Sequence, residues 1–149
     1  MGDDFVISQS NVADINNLLR QLSANAKPVD GDAVKRLVSS GGYLFAARDK
    51  EKIVGMATLT CSFILTAPFG HIDDVIVDKE HEGRGTGAAL MRGLIAKARE
   101  LGLKRVELTS RPSRKRANRF YKKLGFRLAA RSTGKGGTNL YRLDIADIA

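Results

Sequence analysis

The sequence predicts a mixed α/β fold: one domain over residues 1–149, with a central twisted mixed sheet flanked by helices in the order βααβββαβαββ. Three observations predict it. Short runs with the period-2 pattern of strands interleave with runs whose apolar residues recur at i, i+3, i+4 and i+7. One strand leads through a charged loop with three alternating glycines into a helix. The length, 149 residues, suits one domain that buries about two-thirds of the surface its unfolded chain exposes, with no staple required.

Phe5–Ser8 is short and β-prone. Asn11, with Asp14 three positions on, then caps a helix whose apolar residues are Val12, Ile15, Leu18, Leu19 and Leu22. The run Lys27-Pro28-Val29-Asp30-Gly31 breaks the pattern, and a shorter helix spans 32–39 before Gly41-Gly42 stops it. Strands over 43–48 and 53–63 form a hairpin about Asp49-Lys50-Glu51, the second alternating Ile53, Gly55, Ala57, Leu59, Cys61 and Phe63 with intervening residues. Pro68-Phe69-Gly70 interrupts the sheet, and His71 to Val77 makes the next strand, ended by the charged run Asp78 to Glu82. From Gly85 a helix carries Leu90, Met91, Leu94, Ile95, Ala98 and Leu101 to Gly102. A strand at 104–109, a helix at 113–123 with Ala117, Phe120, Tyr121 and Leu124 on one face, a strand at 126–130, a glycine-rich loop at 132–138 and a strand at 139–143 complete the chain.

The single cysteine, Cys61, leaves no intrachain disulfide and no thiolate metal cluster, and makes a reducing cytoplasm the expected compartment. The start Met1-Gly2-Asp3-Asp4 lacks the basic-then-apolar layout of a secretory signal. No apolar stretch reaches the ~18 residues of a membrane span, so no membrane partner is expected. The net charge of +9 is uneven: residues 92–131 hold fourteen Lys/Arg against two Asp/Glu, whereas residues 1–91 hold nine against twelve. Such a block focuses anions, either nucleic acid or a phosphorylated cofactor, or else it is a solvated helix face.

The informative stretch runs from Val75 to Leu90: strand, charged loop, Gly83, Gly85 and Gly87, then helix. Glycines let backbone approach phosphate, and the free N–H groups at a helix start supply donors at the positive end of the dipole. A P-loop is excluded, because Gly87 is followed by Ala88-Ala89 and no lysine. The dinucleotide fingerprint matches loosely over Gly83 to Ala88. It expects the turn directly after the strand, however, and five residues separate Val77 from Gly83.

Glu82-Gly83-Arg84-Gly85-Thr86-Gly87 resembles the Arg/Gln-x-x-Gly-x-Gly/Ala acetyl-CoA loop of the GNAT family of N-acetyltransferases, with an acid at the first position and Arg84 supplying a nearby positive charge. A second segment, Ala117-Asn118-Arg119-Phe120-Tyr121 with Gly125-Phe126, is similar to that family's Ala-x-x-Phe-Tyr-x-x-x-Gly-Phe stretch, in the right order and spacing. The resemblance implies an acetyl-CoA-dependent N-acetyltransferase that takes acetyl-CoA as cosubstrate, without a metal, and passes the acetyl group to an amine. It implies cofactor contacts from the main chain of Val75, Ile76 and Val77, from Glu82, Gly83, Arg84, Gly85, Thr86, Gly87 and Ala88, and from Asn118 and Arg114, the last standing where the family often has Asn. In the family the amine attacks directly, so Cys61 is not required as a nucleophile.

By the same resemblance Tyr121 occupies the general-acid position; by spacing alone it reads as a core aromatic. Asp73 and His71, two apart on a strand and so on one face, are the candidate bases, while Asp74 points to the other face. The stretch Gly70 to Val77 is also similar to the corresponding strand of glucosamine-6-phosphate N-acetyltransferases, which by itself assigns no acceptor. Dimerisation is common in the family. Two rival readings are an acyl-CoA-binding sensor without turnover and a basic nucleic-acid-binding module; against the second, the aromatics of the basic block recur at core spacing and no nucleic-acid motif accompanies them.

Overall fold

The computed structural model describes residues 8–132 and 136–147. In chain order these form α1 (Gln9–Leu22), α2 (Gly31–Ser39), β1 (Tyr43–Asp49), β2 (Lys52–Ser62), β3 (Phe69–Val77), a 3-10 turn (Lys79–His81), α3 (Thr86–Glu100), β4 (Arg105–Ser110), α4 (Lys115–Lys123), β5 (Arg127–Ala130), β6 (Asn139–Asp144) and a second 3-10 turn (Ile145–Asp147). The strands make one six-stranded mixed sheet of order β1-β2-β3-β4-β6-β5. The predicted mixed α/β class is therefore the observed one. The expected first strand at 5–8 lies outside the described residues except for Ser8, and so do residues 133–135 of the expected glycine-rich loop.

Ser8 belongs to α1 as its cap: the hydroxyl oxygen accepts a hydrogen bond from the Asn11 N–H at 3.2 Å. This corrects the expectation that Asn11 and Asp14 form the cap. Asn11 is buried inside the first turn, and the Asp14 carboxylate accepts from the Ile53 N–H at 2.9 Å, tying α1 to β2. Asp30 caps α2 in the ordinary way, accepting from the Ala33 N–H at 3.0 Å. A second correction concerns Pro68-Phe69-Gly70: β3 already begins at Phe69, because its backbone pairs with Arg105 of β4.

The described residues fall into two compact units, one running to Leu59 and resuming over Asp74–Gly93, the other comprising Thr60–Asp73 and the chain from Leu94 onward. In the first, β2 is buried at every position from Ile53 to Leu59. Ile15 and Leu18 of α1 and Val34 of α2 form a core cluster with Ile53 and Met56, and Leu44, Ala46 and Ile76 pack against it. The start of α3 approaches β2 at Gly55, where a Cβ would meet Leu90 Cδ1 at 3.1 Å, Thr86 Cγ2 at 3.3 Å and the Ile76 carbonyl oxygen at 3.4 Å. A strand stretch buried on both faces, as β2 is from Ile53 to Leu59, does not mark an inner and an outer face by alternation.

In the second unit alternation does sort the faces. Val106 and Leu108 of β4 register with Leu143 and Tyr141 of β6 and are buried, as is Ser110. Arg105 and Glu107 register with Asp144 and Arg142 on the opposite, polar face. Tyr121 of α4 joins the apolar side, its ring centroid 6.0 Å from Phe126 and 6.3 Å from Tyr141.

The packing at Gly55 generates a stability prediction. Gly55→Val would force Leu90, Thr86 or the β3 backbone to give way, and overpacking of this kind costs about 1–3 kcal/mol. A calorimetric melt should show the lower Tm.

Candidate active site

The glycine turn is built within the first unit. After β3 ends at Val77 the chain makes the 3-10 turn, passes Glu82 and enters α3 through Gly83 and Gly85, whose φ angles of 76° and 80° lie in the left-handed region. No atom lies within 4 Å of a Cβ added at either position, so it is backbone conformation, not crowding, that calls for glycine there. The first bond of α3 runs from the Ala89 N–H to the Gly85 carbonyl at 3.0 Å. The N–H groups of Gly85, Thr86, Gly87 and Ala88 therefore precede the intrahelical ladder and sit at the positive end of the helix dipole. Glu82, Gly83, Arg84 and Gly85 are exposed; Thr86, Gly87 and Ala88 are half-buried. Free amides at the positive end of a helix dipole, reached through exposed glycines, are an arrangement that can hold an anion.

Upstream, within β3, Asp74 has φ 53° in the left-handed region, and its carboxylate accepts from the Thr58 hydroxyl at 3.1 Å. Asp tolerates that conformation better than most residues, and such outliers mark places where a strand is bent or re-aimed. The half-buried Val75, Ile76 and Val77 follow it. Asp78 is buried, and the hydrogen bond from Gln21 leads in holding its carboxyl below the ordinary value against the burial that pushes it up; His81 and Lys52 add to the lowering.

The second unit carries the titratable candidates. The β3–β4 register runs over Phe69↔Arg105, Gly70↔Val106 and His71↔Glu107. His71 and Asp73 share a face as expected, with Nε2 3.7 Å from Oδ1 and side chains 37% and 53% exposed. Beside His71 in register, Glu107 is bracketed by Arg105 Nε at 2.7 Å and Arg142 Nη2 at 3.0 Å. Burial pushes the Glu107 carboxyl up, but the hydrogen bonds and charges of Arg105 and Arg142 together hold it below its ordinary value. Arg105 also lies over the Phe69 ring, 4.3 Å from its centroid.

Tyr121 is 4% exposed. Burial pushes its phenol up, and the positive charge of Arg114 draws it partly back. The phenol is thus kept protonated, which suits an acid. Arg114 itself is the exposed N-cap residue of α4 and makes no side-chain cap bond. Asn118 is turned to its own loop: Nδ2 donates to the Arg111 carbonyl at 3.1 Å, while Oδ1, like Ser110 Oγ, is buried without a hydrogen-bond partner among the described residues. Burial pushes the Cys61 thiol up, away from the thiolate form a nucleophile needs.

Comparison with known proteins places this arrangement. Residues 13–126 match the family model described as Acetyltransferase (GNAT) family. The chain belongs to the GNAT acetyltransferase family. A glucosamine 6-phosphate N-acetyltransferase of Trypanosoma brucei brucei is 37% identical over 87 residues, 56% of this chain and 57% of that protein. An uncharacterized N-acetyltransferase of Methanocaldococcus jannaschii is 34% identical over 85 residues, 55% of this chain and 38% of that one. The chain thus matches about half the length, or less, of these curated relatives. A crystal structure of a Trypanosoma brucei acetyltransferase superposes with TM-score 0.71 at 30% identity, covering 86% of this chain and 94% of that one. An N-acetyltransferase from Staphylococcus aureus shares the fold at TM-score 0.76 and 18% identity, covering 93% and 95%.

Within this GNAT chain, sequence reasoning missed two features beside the site. Gly55 sits in an alternating apolar run, where a glycine signals close approach of another backbone or helix. The buried carboxylates Asp78 and Glu107 give no such signal, since each takes one of its partners from a distant part of the chain: Gln21 for one, Arg142 for the other.

Glu107 sets a pH dependence. Because its folded-state value is depressed, its stabilisation is present above the ordinary carboxylate range and is lost as pH falls through the lowered value. At about pH 7, Glu107→Gln should cost about 2 kcal/mol, the worth of hydrogen bonds to a charged group. Urea melts repeated at about pH 3 should show that gap shrinking.

Proposed function

We propose that the chain is an acetyl-CoA-dependent N-acetyltransferase acting on a primary amine, with Tyr121 as general acid and Asp73 or His71 as general base. The observation that carries the reading is the pair of left-handed glycines opening onto the unladdered start of α3, directly downstream of β3. Those residues fit a pyrophosphate: the turn is exposed, the amides of Gly85 to Ala88 lie outside the intrahelical ladder, and Arg84 adds positive charge. In this reading the main chain of Val75 to Val77 holds the pantetheine arm. Bound acetyl-CoA supplies an activated acyl thioester, whose carbonyl a β3 backbone N–H polarises.

Asp73 or His71 takes the proton from the attacking amine as the C–N bond forms, and Tyr121 gives its phenolic proton to the departing sulfur as the C–S bond breaks. The Arg114 charge favours the phenolate left behind. The acceptor to try first is glucosamine 6-phosphate, the substrate named for the 37% identical relative.

Calorimetric titration with acetyl-CoA, with NADH as control, tests the cradle; binding of acetyl-CoA alone is expected, and no acetyl-CoA binding would reject the reading. Gly85→Asp puts a side chain and a negative charge into the turn, and its acetyl-CoA affinity should fall by about tenfold or more, equivalent to ~1.4 kcal/mol. Tyr121→Phe should lower kcat by about 100-fold or more while leaving the acetyl-CoA Kd within a few-fold, in keeping with the usual worth of a general acid. A thiol-release assay with glucosamine 6-phosphate reads both; unchanged turnover would remove Tyr121 from the acid role.

A further inference from the structure

The cofactor turn is anchored on its upstream side by a group that acetyl transfer does not use. His81 closes the 3-10 turn just before Glu82 and Gly83, and both of its ring nitrogens face carboxylates. Nδ1 lies 3.2 Å from Asp78 Oδ2 and Nε2 lies 3.2 Å from Asp49 Oδ2, with the His81 side chain 15% exposed. Asp78 is itself fixed. Its Oδ1 accepts from Gln21 Nε2 at 3.0 Å, and its N–H donates to the Val54 carbonyl at 2.8 Å. The Gln21 side chain closes the circuit, Oε1 accepting from the Lys79 N–H at 3.0 Å. The charged groups bearing on this cluster are Asp49 from the end of β1, Asp78 from the end of β3 and Lys52 from β2; α1 contributes the neutral Gln21.

Two carboxylate acceptors require two donors. An imidazolium donates from both nitrogens, whereas a neutral imidazole offers one N–H and turns a lone pair toward the other carboxylate. Downstream, Gly83 and Gly85 give the chain wide conformational freedom, so the amides at the start of α3 converge on a phosphate only if the entry to the turn is held. We propose that His81, as an imidazolium bridging Asp49 and Asp78, is a positioning residue for the phosphate-binding turn, so that the protonated form binds acetyl-CoA more tightly. The inference rests on the acyl-CoA reading of the turn given above.

The test follows the turn and the cofactor separately, at about pH 5.5 and about pH 8. NMR order parameters for the amides of Gly83, Arg84 and Gly85 report the turn in the ligand-free chain. Titration with acetyl-CoA reports binding. In the native chain the turn should be ordered at the lower pH and looser at the higher, with the acetyl-CoA Kd rising about fivefold, or ~1 kcal/mol. His81→Gln should be loose at both, with a Kd that no longer depends on pH, and with kcat at saturating acetyl-CoA close to native at the same pH. Asp49→Asn removes only the charge of the exposed outer carboxylate while keeping an acceptor oxygen, endangers folding least, and should give an intermediate loss. Turn order that ignores pH in the native chain, and is unchanged in either variant, would overturn the clamp. A turn that orders on protonation in a chain binding no acetyl-CoA at either pH would instead overturn the acyl-CoA reading and leave the clamp standing.

Discussion

At Gly55 the β2 backbone has no side chain, and the start of α3 fills the space with Thr86 and Leu90. That close approach sets where the first turn of α3 lies against β2, and the first turn of α3 carries the amides of the candidate anion cradle. The cradle is therefore a packing product as much as a motif. Gly83 and Gly85 allow the chain to reach the helix start through left-handed backbone, but their conformational freedom would scatter the amides if the helix beyond them were not seated. Ile53 and Met56, buried in the cluster with α1 and α2, hold β2 firmly enough to serve as that seat.

Electrostatics in the chain follow a consistent division. Carboxylates that are buried are met by designated partners: Asp78 by Gln21 and His81, Glu107 by Arg105 and Arg142. A buried charge left without such partners would be costly, so these pairings are conditions of the fold more than sources of net stability. The cations of the second unit divide in the same way. Arg105 of the basic block and Arg142 of β6 serve Glu107, while Arg114, Lys115 and Arg119 are exposed at the start and along the outside of α4. Of these, Arg114 bears on the candidate chemistry through its field on the Tyr121 phenol.

Much of the fold was legible because period and punctuation agree. The helix over 86–100 has apolar residues at helical spacing, and Val106 and Leu108 of β4 and Tyr141 and Leu143 of β6 recur at period two, so each announces an apolar face, although Glu107 between the two β4 residues is buried as well. Boundaries were read less well. Ser8 rather than Asn11 caps α1, because Asn11 and Asp14 are drawn into tertiary burial and a bond to β2. Of the site, the glycine turn and the pairing of His71 with Asp73 were readable, since both depend on spacing of a few residues. The involvement of Asn118 with its own loop carbonyl was not, because an amide's choice between ligand and loop is settled by which carbonyl lies within reach.

By itself the sequence determined the strand, glycine turn and helix of the candidate cradle, and the family to which these motifs belong. Only the tertiary structure decided which charges are buried and what meets them. In the Gln21–Asp78–His81–Asp49 circuit Gln21 reaches Asp78 from 57 positions away, and Glu107 takes Arg142 from 35 positions away. Local periodicity carries no information about such pairs, because their meeting depends on how strands are ordered in the sheet and how helices cover them.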